Sequence, residues 1–297
     1  MRGLVIFAAV AALLAMPVRA ETRLSVVASF SILGDFVKNV GGDKVNVTTL
    51  VGPNGDVHVY TPAPDDARKI ADARLLVVNG LGLEGWLPRL VQSSGSKATI
   101  VTASNGVAPL QVASQSPGNG TIHPDPHAWQ SVANAKIYVR NISEALIAAD
   151  PADAETFRAN AARYLSELDA LDAEVRAEVA KIPPERRKVI STHAAFGYFA
   201  KAYGIAFIAP LGVSTETEPS ARDVADIITQ VKAGKIPAVF LENMSDPRLV
   251  QRIASETRAK VGGTLFSDAL TDEKGDAPTY IDLVRHNIKA LTSALGN

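Results

Sequence analysis

Residues 151–184 read PADAETFRANAARYLSELDALDAEVRAEVAKIPP, and the reading of this stretch decides how the rest of the chain is arranged. Its apolar side chains, Phe157, Ala161, Tyr164, Leu165, Leu168, Leu171, Val175, Val179 and Ile182, recur in steps of three and four without a break. That spacing places them on one stripe of an α-helix. Asp150 stands at the N-cap and Pro151 in the first turn, where a missing N–H is tolerated, and Pro183-Pro184 stops the helix. The pattern predicts an unbroken helix over 152–181, roughly 45 Å long at 1.5 Å per residue. A coiled-coil arm is the other use of such a helix, but only one stretch of this kind is present and its other face is merely charged. It is therefore read as a rigid spine joining two lobes.

Both flanks of the spine alternate short β-branched runs with amphipathic segments. On the N-terminal side strands are expected at 24–30, 45–51, 75–79 and 98–102, and helices at 32–40, 62–73, 83–91 and 132–149. On the C-terminal side strands are expected at 188–192, 206–210, 238–241 and 264–267, and helices at 194–203, 220–233, 246–261 and 280–295. Residues 104–121, rich in Gly, Ser and Gln, read as an exposed loop. Alternation at this spacing with few hairpin signals argues an α/β fold. The expected molecule has two similar lobes, each a mainly parallel sheet covered by helices, joined by one long rigid helix. The divisions are 1–20, 21–150, 151–183 and 184–297.

Residues 1–20 carry Arg2, an apolar run from Leu4 to Met16 and small residues around Ala20, the pattern of a secretory signal peptide. The run is shorter than the ~20 residues a spanning helix needs. Cysteine is absent from all 297 residues, which excludes disulfides, a thiolate metal site and a lipobox cysteine. These features predict a soluble periplasmic protein, expected to be a monomer. Without the leader the net charge is about −3, and nothing resembles the basic stripe of a nucleic-acid binder.

Two of the five histidines fall in Thr121-Ile122-His123-Pro124-Asp125-Pro126-His127-Ala128-Trp129, where the prolines predict an extended, stiff elbow suited to aiming a ligand. His58 follows the strand ending at Val51, His193 follows the strand ending at Thr192, and Asp268 follows the strand ending at Ser267. Carboxyl ends of strands face the crevice in open α/β sheets. His58 and His127 would come from the first lobe, His193 and Asp268 from the second. Three imidazoles and one carboxylate complete a tetrahedral Zn²⁺ shell and leave no open position for water, which suits a carrier better than a hydrolase. Three nitrogen donors favour zinc over manganese. Binding needs neutral imidazoles, so affinity is expected to fall as pH drops through ~6.5. His123 is ranked below His127, as an accessory residue at the loop edge. His286, in mid-helix, is read as structural or solvated. Glu242, at another strand end, is read as supporting a ligand. Its alternative role, general base of a secreted zinc hydrolase, lacks a His-Glu-x-x-His helix or a nucleophile elbow.

The stretches Gly55-Asp56-Val57-His58-Val59-Tyr60-Thr61-Pro62, Asp125-Pro126-His127-Ala128-Trp129, Ser191-Thr192-His193-Ala194-Ala195-Phe196, Glu218-Pro219-Ser220 and Ser267-Asp268-Ala269-Leu270 carry a resemblance over essentially the whole mature length. The chain resembles the zinc and manganese ABC-importer solute-binding proteins, the cluster A-I periplasmic metal receptors. The resemblance implies that His58, His127, His193 and Asp268 bind metal, that a long helix bridges two α/β lobes, and that the partner is an inner-membrane permease. It implies no enzymatic activity. In this family the third ligand tends to be His in zinc receptors and Glu in manganese receptors, and here it is His193. Manganese or iron is the alternative cargo. Two departures stand out: Val57 replaces the usual proline before the first ligand, and the His-rich loop of many zinc members is reduced to a short segment with His123 alone.

Overall fold

The computed structural model describes residues 23–113, 122–217 and 219–296. The leader, residues 114–121 of the loop and Glu218 of the fourth matching stretch lie outside the described residues. Two four-stranded parallel sheets organise the chain. The first contains β1 (Leu24–Phe30), β2 (Val45–Val51), β3 (Leu75–Val78) and β4 (Thr99–Thr102) in the order β2-β1-β3-β4. Helices α1 (Ser31–Gly41), α2 (Pro64–Ala71) and α3 (Leu87–Ser94) connect its strands. In β3 all four residues are buried, as expected of a central strand covered on both faces.

After a short antiparallel pair, β5 (Gln111–Ala113) and β6 (Ile122–Pro124), the chain runs into α4 (Val132–Ala149) and α5 (Ala154–Ala180). The second sheet contains β7 (Lys188–Ile190), β8 (Ala206–Ile208), β9 (Ala238–Glu242) and β10 (Lys260–Leu265), in the order β10-β9-β7-β8. Helices α6 (Gly197–Tyr203), α7 (Ala221–Gly234), α8 (Arg248–Thr257) and α9 (Tyr280–Leu295) cover it. Numbered within each lobe, both sheets run 2-1-3-4, so the lobes share one topology.

Helix α5 spans roughly 40 Å at 1.5 Å per residue. It buries Phe157, Ala161, Tyr164, Leu168, Leu171, Val175 and Val179, and packs against α1 and α4 of the first lobe and α9 of the second. Its stripe joins the cores of both lobes into one cluster. Asp35 of α1 strengthens this junction: its Oδ2 accepts from the backbone N–H of Tyr280 at the start of α9 (3.0 Å) and from the Tyr164 hydroxyl of α5 (3.4 Å). Burial pushes the Asp35 carboxyl up to about 6, against the lowering effect of those two donors and of Lys38.

Four expectations are corrected. The spine begins at Ala154, because Pro151–Asp153 forms a 3₁₀ turn first. Helix α8 ends at Thr257 instead of continuing to 261, because Arg258 adopts a left-handed conformation (φ 65°) and Lys260 then starts β10. Helix α6 starts at Gly197, not 194. The expected loop at 104–121 contains β5, and its first residues, Ser104 and Val107, are buried.

Candidate metal centre

The elbow forms as the prolines require. Ile122–Pro124 is extended as β6, and Asp125 then turns the chain, its Oδ1 accepting the backbone N–H of His127 at 3.0 Å. Asn79, at the end of β3, donates to the Pro126 carbonyl at 2.9 Å, and the Tyr138 hydroxyl donates to Asn79 Oδ1 at 2.6 Å. These buried bonds hold the elbow onto the carboxyl end of the first sheet. Two residues on, the Trp129 indole N–H and the Gln130 amide reach across to the Ser267 carbonyl at 2.9 and 2.7 Å. Those contacts fix the peptide that precedes Asp268, so one turn orients residues of both lobes.

His58, His127, His193 and Asp268 meet in the cleft, with one candidate ligand atom from each lying within 4.8 Å of all the others. His127 Nε2 is 3.2 Å from His58 Nε2 and 3.3 Å from His193 Nε2. Asp268 Oδ2 is 3.2 Å from His58 Nε2 and 3.1 Å from His193 Nε2, and Asp268 Oδ1 is 3.6 Å from His127 Nε2. A tetrahedron with bonds of ~2.0 Å has edges of about 3.3 Å, and the four separations of 3.1–3.3 Å are of that size. All four side chains are buried, and neither oxygen of Asp268 receives a hydrogen bond of good geometry. A cation held by Asp268 would satisfy the oxygen that coordinates it.

Two carboxylates aim the imidazoles. Asp125 Oδ1 lies 2.8 Å from His127 Nδ1, and Glu242 Oε2 lies 2.6 Å from His193 Nδ1. Each accepts the Nδ1 proton and so leaves the Nε2 lone pair facing the cleft. Glu242 also takes the backbone N–H groups of Thr192 (2.8 Å) and His193 (3.0 Å) on Oε1, and the Ser267 hydroxyl (2.7 Å) on Oε2. In the sequence Asp125 stands out only as part of the matching stretch, although the Asp-x-His spacing is that of a side chain capping its own turn. Gly197 approaches Asp125 so closely that a Cβ would lie 2.6 Å from Oδ2, which leaves room for no larger residue.

Burial disfavours charge on His127, but the carboxylates of Asp268 and Asp125 outweigh it and push the imidazole up to about 9. His193 is likewise raised well above its ordinary value, burial being overcome by Glu242 and Asp268. Asp268 is held well below the usual carboxylate range despite its burial, by His193 and His127. Without metal the cluster therefore carries protons well above pH 6.5, and a cation entering it must displace them.

His123 is exposed on β6, opposite Val112, and does not join the four-residue group. It lines a cavity of about 470 Å³ together with His58, Pro126, Val213 and Glu216. This cavity leads from the surface to one edge of the cluster. His286 bonds the Thr264 carbonyl at 3.0 Å and packs on Phe266, a structural role. Among the described residues no helix is long and apolar enough to cross a membrane.

Residues 26–294 match the family model described as zinc-uptake complex component A, periplasmic. The chain is 35% identical to the iron-binding protein YfeA of Yersinia pestis, over 92% of this chain and 87% of that protein. It is 34% identical to the manganese-binding lipoprotein MntA of Halalkalibacterium halodurans, over 92% and 88%. Among solved structures it resembles the periplasmic zinc-binding protein TroA of Treponema pallidum, with a TM-score of 0.86, 30% identity and coverage of 93% of this chain and 100% of that one. It also resembles a Mn-bound periplasmic metal-binding protein of Candidatus Liberibacter asiaticus, with a TM-score of 0.81, 32% identity and coverage of 92% and 100%. With a family match over nearly its whole length, the chain belongs to the zinc-uptake complex component A family of periplasmic, non-enzymatic metal-binding receptors of ABC transporters.

Proposed function

We propose that this protein is a periplasmic zinc receptor that captures Zn²⁺ between its lobes and delivers it to the permease of an ABC importer. His58 and His127 of the first lobe and His193 and Asp268 of the second would coordinate the ion. The observation that carries the reading is the convergence of three Nε2 atoms and one carboxylate at tetrahedral separations. Such a shell is rich in nitrogen, which suits zinc.

The ion would bridge the lobes, so binding favours the closed arrangement by its differential affinity for it. The motion must be small. Helix α5 packs on both lobes, and Trp129, Gln130, Tyr280 and Ser31 already tie them together by hydrogen bonds deep in the interface. We assign residues 1–20 to a cleaved leader, 21–150 and 184–297 to the lobes and 151–183 to the linking helix. The released chain is proposed to be soluble and monomeric. Some relatives are named lipoproteins, whereas these 297 residues contain no cysteine to carry a thioether-linked lipid.

A manganese or iron receptor is the second reading, and Asp268 favours it. Both its oxygens are open to a cation, and bidentate binding would add a fifth, oxygen donor, as harder ions prefer. The relatives named for iron and manganese agree with that reading. Analysis of the metal carried by the protein as isolated from its cells, followed by titration of the metal-free protein with zinc, manganese and ferrous iron, decides the matter, because raw affinity alone favours zinc at any such site. Stoichiometric bound zinc is expected, whereas bound manganese or iron would favour the second reading. Absence of any transition-metal binding would sink both readings.

A further inference from the structure

Two Asp-x-His turns in the first lobe are built alike but are held differently. Asp125 Oδ1 accepts the backbone N–H of His127 at 3.0 Å, and Asp56 Oδ1 accepts that of His58 at 2.9 Å. Asp125 also grips the ring of its histidine, as Glu242 does for His193. Among the described residues no carboxylate bonds Nδ1 of His58. Instead, the second oxygen of Asp56 reaches across the cleft, where the hydroxyl of Thr215 donates to Oδ2 at 2.7 Å.

Thr215 is well placed to report on the other lobe. Its segment begins at Leu211, which bridges to His193, and the Ala194 N–H donates to the Gly212 carbonyl at 2.9 Å. The same segment, through Gly212, Val213, Ser214 and Glu216, lines the cavity that leads to His58. A continuous path therefore runs from the backbone of His193 through residues 212–215 to Asp56 and His58. Both Thr215 and Asp56 are half-buried, so water can replace their bond once the lobes part.

We infer that Thr215, acting through Asp56, is a positioning residue for His58, making this histidine the ligand that lobe separation releases first. This rests on the assignment of His58 as a ligand. With the Thr215 bond intact, the Asp56 turn holds the His58 ring toward the ion. When the lobes part, the turn loses its anchor while His127 and His193 keep their carboxylate clamps. The ion would then sit on the remaining three groups beside the cavity.

The test is the rate at which zinc leaves the loaded protein into excess chelator, together with equilibrium affinity, for the wild type and for Thr215→Val, Thr215→Ser, Asp56→Ala, Asp56→Ala/Thr215→Val and His58→Ala. Thr215→Val is nearly isosteric and should fold normally, as thermal melting of the metal-free protein checks. Loss of one half-exposed hydrogen bond to a carboxylate predicts an about tenfold faster release. Thr215→Ser should restore the wild-type rate, and adding Thr215→Val to Asp56→Ala should change nothing further. Wild-type release from Thr215→Val alongside a weakened His58→Ala overturns the inference alone. Equal acceleration by Val and Ser, or full additivity with Asp56→Ala, also overturns it. Wild-type affinity in His58→Ala instead overturns the ligand assignment on which it rests.

Discussion

Replacing Glu242 by Gln isolates what a carboxylate behind a candidate ligand is worth. The side chain is buried and accepts four hydrogen bonds, two from backbone N–H groups on Oε1 and two, from His193 Nδ1 and Ser267, on Oε2. A glutamine must keep its oxygen toward the two backbone donors, so its NH₂ faces His193 Nδ1 and Ser267. The serine hydroxyl can rotate to accept. The imidazole escapes a clash of two N–H groups only by moving its proton to Nε2, where it points at the metal position. Regaining the metal-binding tautomer costs the charge-assisted bond at 2.6 Å, about 1.5–3 kcal/mol, or roughly 10- to 150-fold in affinity. Fold stability should change little, because three of the four bonds survive. The assay is chelator competition for zinc at pH 8, with nitrogen-15 chemical shifts of His193 reporting the tautomer. Unchanged affinity in a folded variant, or an Nδ1-protonated ring, would refute the reasoning.

Other expectations follow from the same geometry. His123→Ala should weaken zinc binding by less than about tenfold, whereas His127→Ala should weaken it by orders of magnitude; equal losses would make His123 a ligand. The imidazole of His127 is raised to about 9, so below that pH each ion bound must displace at least one proton. Affinity should therefore fall at least about tenfold per pH unit from pH 8 to 6, starting well above the 6.5 of an isolated imidazole. Calorimetry in buffers of different ionisation enthalpy should register the released proton, and a flat profile would contradict the carboxylate-supported site. Asp35 binds its proton more tightly in the folded chain, at about 6, than when unfolded, so stability should fall as pH rises from about 4 to 6. Asp35→Asn should flatten that slope and leave the protein at least as stable at pH 7.5, as chemical denaturation across pH would reveal.

The spine was legible because nine apolar positions kept helical spacing between two proline boundaries, and tertiary packing uses seven of them within α5. The parallel lobes were legible for a similar reason: β-branched runs alternating with helices leave few other arrangements. Less visible was what depends on single backbone choices. Nothing around Arg258 announces a left-handed residue, since no glycine stands there, and the helix reading ran on into β10. Strand β5 is only three residues long and pairs with the elbow, so its local composition masked it. Three of the candidate ligands, His58, His193 and Asp268, could be picked out because each follows a strand, a position that carries meaning in an α/β sheet, and His127 because it sits in the proline-stiffened elbow. Their carboxylate partners divide. Glu242 ends a strand, where a role is legible, whereas Asp125 reads as part of a turn. The link from Thr215 to Asp56 joins residues far apart in sequence, and no local pattern encodes it.

X-ray absorption at the zinc edge of the loaded protein tests the central claim most directly. One zinc per chain is expected, with three imidazole nitrogens and one carboxylate oxygen at about 2.0–2.1 Å. A shell with fewer than three imidazoles, a six-coordinate shell dominated by oxygen, or the absence of stoichiometric zinc would contradict it.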